Sequence, residues 1–211
     1  CYKKIVMPNE YLNEGKNTIE LRAQFHQRLN LEAIYLIGDF GVKLDGIKKV
    51  ITTLPNRLYV GNVVEQGLPF YSGTISYHLN IGNSHQSNRL VLSVDEFEAA
   101  CIKVRNHTQE KILPWKPYEI DITDIIERGI ELKLDLILTR RNTFGPLHQI
   151  PLYAPAYGPN NFITEGEAYS KDYNLVPSGL TNAPKIKLAN IKNEEQVAFI
   201  KRGEVHNNLN T

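Results

Sequence analysis

The clearest hydrophobic pattern lies near the middle of the chain. In residues 131–138, Leu132, Leu134, Leu136 and Leu138 alternate with the charged Lys133 and Asp135, the period-two signature of a half-buried strand. Just before it, Tyr118, Ile120 and Ile122 alternate with Glu119 and Asp121. Gly129 supplies a turn between the two runs, and residues 124–128 are long enough for one helical turn. Two amphipathic strands with one wet and one dry face require a second sheet to cover the dry side.

The same pattern recurs along the chain. Residues 17–25 place Ile19, Leu21, Ala23 and Phe25 opposite Glu20, Arg22 and Gln24, after a turn at residues 13–17. Residues 33–37 form an apolar run that reads as an interior strand stopping at Gly38-Asp-Phe-Gly41, and residues 48–54 are β-branched and end at Pro55, as an edge strand does. Residues 70–81 set Ile75, Tyr77, Leu79 and Ile81 on one face and His78 on the wetter one. Residues 89–94 and 100–105 predict two short strands, with turns at 82–88 and 106–108. Residues 173–177 and 184–188 predict closing strands, and 193–202 fit a helix or a strand equally. Short strands without a long helical stripe predict an all-β sandwich. The expected division is a β-sandwich domain over residues 1–188 and a C-terminal extension over 189–211.

Residues 140–174 interrupt this regularity. They are rich in Gly, Pro, Asn and Tyr and carry no period; a loop of that length in a compact domain is functional or is packed down by its own aromatics.

Composition narrows the function. The 24 basic and 23 acidic residues of the 211 are interspersed and leave a formal charge of +1, so no field draws in nucleic acid or an anionic membrane. No apolar run reaches the ~20 residues of a membrane helix. The aromatic supply, 11 Tyr and 7 Phe against one Trp, suits strands and also sugar-binding surfaces. Cys1 and Cys101 give neither a disulfide framework nor metal-ligand spacing. Cys101 reads as a small core hydrophobe. An initial Cys reads as the start of a fragment of a longer polypeptide, or alternatively as a lipoprotein anchor. Asp39 and Asp45 are the local candidates for a structural calcium ion, but they lack the acidic density of a calcium loop, so no metal or cofactor is assigned. Asn106-His-Thr108 forms an N-glycosylation sequon, relevant in a eukaryotic secretory setting.

Several motifs in order carry a resemblance: Gly67-Leu-Pro-Phe-Tyr-Ser-Gly73, Lys103-Val-Arg-Asn106, Pro114-Trp-Lys-Pro-Tyr-Glu-Ile-Asp-Ile-Thr123 and Arg140-Arg-Asn-Thr-Phe-Gly-Pro-Leu-His148. Together they resemble the galactose-binding-like jelly-roll β-sandwich of bacterial glycoside hydrolases, similar to the family 2 sugar-binding domain, over residues 10–188. The chain departs from that pattern at Glu131, where relatives carry Asn, at Asn106-His107 in place of Asn-Gly, and at Leu147-His148 in place of His-His. The resemblance implies a non-catalytic accessory module that binds a glycan or packs on the catalytic domain of the same longer polypeptide, in a periplasmic, secreted or cell-surface setting.

Sugar recognition needs aromatic faces and planar polar groups. The candidates are Trp115, Tyr118, Tyr71, Arg140, His148 and Tyr157, with Tyr153 beside them. Each also has a structural reading: Trp115 as a plug in the loop core, Tyr71 and Phe70 as a seal on one end of the sandwich, Arg140 as an ion-pair partner of Glu119 or Asp121. Two other functions compete. A free-standing jelly-roll enzyme acting on polysaccharide would use a Tyr or His base with an Arg, for which His78 and Arg140 are candidates, or a carboxylate pair. An adhesion module would show an exposed apolar patch instead of a sugar site.

Overall fold

The computed structural model describes residues 4–27, 34–81, 89–126 and 131–189, and the backbone of 195–199. The chain divides into two units, Cys1–Ile37 and Gly38–Thr211. The expected turns at 82–88 and Gly129, and Cys1 itself, lie outside the described residues.

The first unit corrects the sequence expectation. The turn at 13–17 forms and is clasped by Asn17, whose side chain accepts from the Asn13 N–H at 2.8 Å and donates to the Asn13 carbonyl at 2.8 Å. Residues 17–25 then form no strand, and neither do 34–37. Ile19, Leu21 and Phe25 stay exposed, Phe25 by 82 %. Alternation marks an amphipathic segment, but a strand also needs ladder partners, and none pairs with it among the described residues.

Among its described residues the second unit is all-β apart from one four-residue helix and short 3-10 turns. A hairpin joins β1 (Gly41–Asp45) to β2 (Lys48–Thr52) as a separate two-stranded ribbon. Two four-stranded antiparallel sheets follow. One has the order β3 (Thr74–Leu79), β8 (Leu132–Ile137), β5 (Cys101–Arg105), β6 (Glu110–Leu113). The other has the order β10 (Glu195–Phe199), β9 (Lys185–Ala189), β4 (Arg89–Ser93), β7 (Glu119–Asp121). Their dry faces share one core: Ile75, Tyr77, Ile102, Val104, Leu134 and Leu136 from the first sheet, Leu90, Leu92 and Ile186 from the second, with Ile122 just beyond β7. From β3 onward successive strands alternate between sheets, except at the β5–β6 and β9–β10 hairpins.

This alternation overturns one expectation. The two central runs are not hairpin neighbours: β7 and β8 belong to opposite sheets, and Leu134 and Ile122 meet in the shared core. The 173–177 strand is absent and the loop continues through it, whereas 195–199 resolves its ambiguity as a strand. Two strands, β1 and β6, lie outside the expected set. Asn106, 8 % exposed, shapes the β5–β6 turn. Its Oδ1 accepts from the Thr108 and Gln109 N–H groups at 2.8 and 2.7 Å, and its Nδ2 donates to the Ile125 carbonyl at 2.6 Å. The sequon asparagine is thus a consumed turn residue.

The wet faces are covered by ion pairs. On β4, β7 and β9 these are Arg89–Asp121 at 2.6 Å, Lys187–Glu119 at 2.6 Å and, just past β4, Lys185–Asp95. On the other sheet Asp135, 6 % exposed, accepts from Ser76 Oγ at 2.7 Å and Arg105 Nε at 2.5 Å, so its burial is compensated.

In the core, burial pushes the Tyr77 phenol from 10.0 up to about 12; the Leu180 backbone opposes this without reaching hydrogen-bond geometry. A folded-state value above the unfolded one means that stability is held below pH 10 and lost as the pH climbs through 12. In an alkaline spectrophotometric titration Tyr77 is expected to ionise late, together with unfolding. Tyr77→Phe should remove that step and cost no stability near neutrality, because the hydroxyl it deletes has no partner.

Candidate functional site

Strand direction gathers the candidate residues. Because β6 and β8 both run antiparallel to β5 between them, they end where β3 and β5 begin. In the other sheet β7 and β9 begin where β4 ends. Residues 53–73, 94–100, 114–118 and 138–184 are therefore connections at one end of the two sheets, tied together where Gly61 and Val63 N–H donate to the Leu180 and Ser178 carbonyls and Glu98 pairs with Gly179. All six candidates, Trp115, Tyr118, Tyr71, Arg140, His148 and Tyr157, are carried by these connections.

Their surroundings differ. Trp115 is 74 % exposed, which rules out the plug reading. Tyr118 is half-buried, edge-on to Phe97 at 4.6 Å. Tyr71 is half-buried, donates to the Thr74 carbonyl at 3.1 Å and lies so close to Gly73 that any Cβ there would strike its ring, so it seals this end. Arg140 is exposed, and the carboxylates proposed for it are engaged elsewhere, Glu119 with Lys187 and Asp121 with Arg89. The His148 ring lies 4.8 Å from Tyr173 and 5.7 Å from Tyr169, with Nδ1 3.0 Å from the Ser170 carbonyl. Tyr173 in turn meets Phe70 edge-on at 5.3 Å and accepts from Lys49 Nζ at 2.7 Å. This knot packs the long loop down on its own aromatics.

Side-chain amides fix the rest of that loop. Asn142, in the short helix α1 (Arg141–Phe144), is buried and bonds both backbone groups of Val176, donating at 2.8 Å and accepting at 3.0 Å. Gln149 accepts from Asn161 Nδ2 at 3.1 Å, and its carbonyl accepts from Asn174 at 2.6 Å. The Arg141 guanidinium donates to the Pro146 and Leu152 carbonyls and lies 5.0 Å from the centroid of the exposed Tyr157 ring. The same guanidinium, and then the Ala154 N–H, hold the Tyr157 phenol below its usual value of 10.0. Tyr157 is expected to ionise early in the same alkaline titration, and Arg141→Met to delay it.

Beside Tyr157 lies an open depression of about 530 Å³ lined by Gly145, Tyr157, Gly158, Pro159 and Phe162. Gly145 has φ 86°, and a Cβ there would press on Phe162 and on the Leu147 N–H. Residue selection from the sequence missed Arg141, Asn142 and Phe162. The available signal was a repeated aromatic-Gly-Pro, Phe144-Gly-Pro146 and Tyr157-Gly-Pro159, which brings backbone and ring edges together at this depression.

His78 contacts Glu131, Nδ1 to Oε1 at 2.5 Å, and is not brought together with Arg140. His78 lies opposite Lys133 near the start of β8, and Arg140 lies past the end of that strand, so the pair proposed for a lyase sits at opposite ends of one ladder. The carboxylates Asp95 and Glu119 are lowered by hydrogen bonds from Lys185 and Lys187 respectively, and Asp121 is lowered to about 2 by the Thr123 hydroxyl and backbone and by Arg89. A general acid needs the opposite shift. Among the described residues no three His, Cys, Asp or Glu side chains gather as a metal site, and no helix is long and apolar enough to cross a membrane.

No protein-family model, no curated protein and no solved structure matches this chain.

Proposed function

We propose that this chain is the non-catalytic carbohydrate-binding accessory module of a bacterial glycoside hydrolase, folded as a galactose-binding-like jelly roll. Antiparallel pairing throughout, two four-stranded sheets and connections that alternate between them support the fold. One observation carries the function. Among the described residues of the second unit the exposed aromatic side chains are Tyr59, Trp115, Phe144, Tyr153, Tyr157 and Phe162, and all six belong to the connections at one end. Exposed aromatic rings carried at one end are what a sugar-binding surface requires, since a pyranose offers them a ring face of C–H groups while its hydroxyls remain hydrated. The carboxylates held ionised favour binding over hydrolysis. The expected partners are a glycan and the catalytic domain of the same longer polypeptide, in a periplasmic, secreted or cell-surface setting.

Trp115 is the only tryptophan, so it reports on this end alone. Titration with a panel of plant and host-glycan oligosaccharides is expected to give a saturable change in its fluorescence with one sugar class, lost in Trp115→Ala while calorimetric unfolding is unchanged. Silence in fluorescence and in binding calorimetry across the panel would overturn glycan binding and favour a module that buttresses its catalytic neighbour.

A further inference from the structure

Most of the N–H groups around the depression beside Tyr157 are already spent. Its lining is almost entirely carbon. The Gly145 N–H donates to the Arg141 carbonyl at 3.0 Å, the Gly158 N–H to Asn161 Oδ1 at 2.7 Å and the Phe162 N–H to the Pro159 carbonyl at 3.1 Å, while Pro159 has none to give. The Tyr157 hydroxyl donates to the Leu152 carbonyl and accepts from the Ala154 N–H, both at 3.3 Å. A sugar hydroxyl turned onto the carbon of this surface would lose water without regaining a hydrogen bond there. A methyl group there would only gain.

The site is also built in advance. Arg141 lies against the Tyr157 ring, Asn161 fixes the turn at Gly158, and Gly145 brings backbone close to Phe162, where a Cβ would crowd the ring. Preorganisation leaves little ordering cost for a weak ligand to overcome.

From this we infer that the depression is the specificity subsite of the module and takes a 6-deoxyhexose, seating the sugar's C6 methyl and the adjoining ring C–H groups against Tyr157 and Phe162. The inference rests on the glycan-binding reading and adds to it the class of sugar and the place where it is selected. The exposed rings of Trp115 and Tyr153 then serve the rest of the chain.

Gly158 provides the test. Its φ of −152° and ψ of −176° suit any residue, and a Cβ there meets nothing within 4 Å, so Gly158→Leu fills the depression without straining the backbone. The intact chain would be titrated by NMR with the methyl glycosides of L-fucose and L-galactose, which differ only in the C6 hydroxyl. The fucoside is expected to bind about tenfold more tightly, the discrimination available to an apolar surface facing one added hydroxyl. Gly158→Leu should abolish that binding at an unchanged melting temperature, and Gly158→Ala should weaken it by a smaller factor, which keeps the test intact if the larger side chain perturbs folding. Equal affinity for the two glycosides, or fucoside binding untouched by either substitution, would overturn the subsite while leaving glycan binding standing if Trp115 still responds to the oligosaccharide panel. Failure of every sugar to bind would overturn both.

Discussion

Asn106→Ala is expected to destabilise the protein by about 2–4 kcal/mol, lowering the denaturant midpoint at an unchanged slope. The side chain is buried and has no spare capacity: Oδ1 closes the turn by accepting from the N–H groups of Thr108 and Gln109 and from the Thr108 hydroxyl, and Nδ2 reaches the Ile125 carbonyl across 19 residues of sequence. Alanine would leave the buried Ile125 carbonyl without its partner and would release the two turn N–H groups at the edge of solvent. The β5–β6 hairpin would also lose its tie to the segment that follows β7. Asn106→Asp keeps the turn acceptor but sets a carboxylate against the Ile125 carbonyl, so it should recover only part of the loss. Equilibrium urea unfolding of the three proteins checks both statements. Equal stability of the alanine variant would mean that the turn closes without this side chain.

The strands that alternation located correctly are those whose dry face ends in the core. For β8, the run Leu132, Leu134, Leu136 is buried and the strand lies between two neighbours; β3, β4 and β5 follow the same logic. The segment at 17–25 alternates just as cleanly and forms no strand, because pairing is a long-range property that a local pattern does not contain. The misassigned neighbour of β8 has a related cause. Two strands facing one another across a core present the same alternation as two strands side by side in a sheet, so Ile120 and Leu134 look alike whichever arrangement holds. Closeness in sequence suggested a hairpin, and the short crossing link was the alternative.

The candidate site was legible in kind more than in detail. A long Gly-, Pro- and Tyr-rich stretch marked the loop at 140–174, and the structure brings its aromatics to one end of the sheets. Which rings face water depends on contacts that no local pattern encodes: Tyr173 is held by Phe70, His148 and Lys49, far away in sequence, whereas Tyr157 rests on a guanidinium and stays open. Arg140 and Arg141 are adjacent and chemically identical, and only the turn of α1 decides which one reaches back to the loop carbonyls.

Asn142→Ala is expected to cost about 2–3 kcal/mol and, unlike Asn106→Ala, to weaken glycan binding as well. The Asn142 amide is a two-way clasp that satisfies both backbone groups of Val176, 34 residues away, and so closes the loop that carries Tyr153, Tyr157 and Phe162. Releasing it frees two half-buried backbone groups and lets the loop's exit move relative to α1. The aromatic surface then pays ordering entropy on each binding event, so affinity should fall about tenfold, with Trp115 fluorescence in the free protein unchanged. Asn142→Asp does not rescue: its carboxylate still accepts from the Val176 N–H but faces the Val176 carbonyl with no donor. Asn142→Gln keeps the chemistry and displaces it by one methylene, so partial recovery of both stability and affinity would identify the clasp, and not bulk alone, as what holds the loop in its binding form. Loss of stability at full affinity in the alanine variant would show instead that the aromatic knot at Tyr173 holds the loop without it.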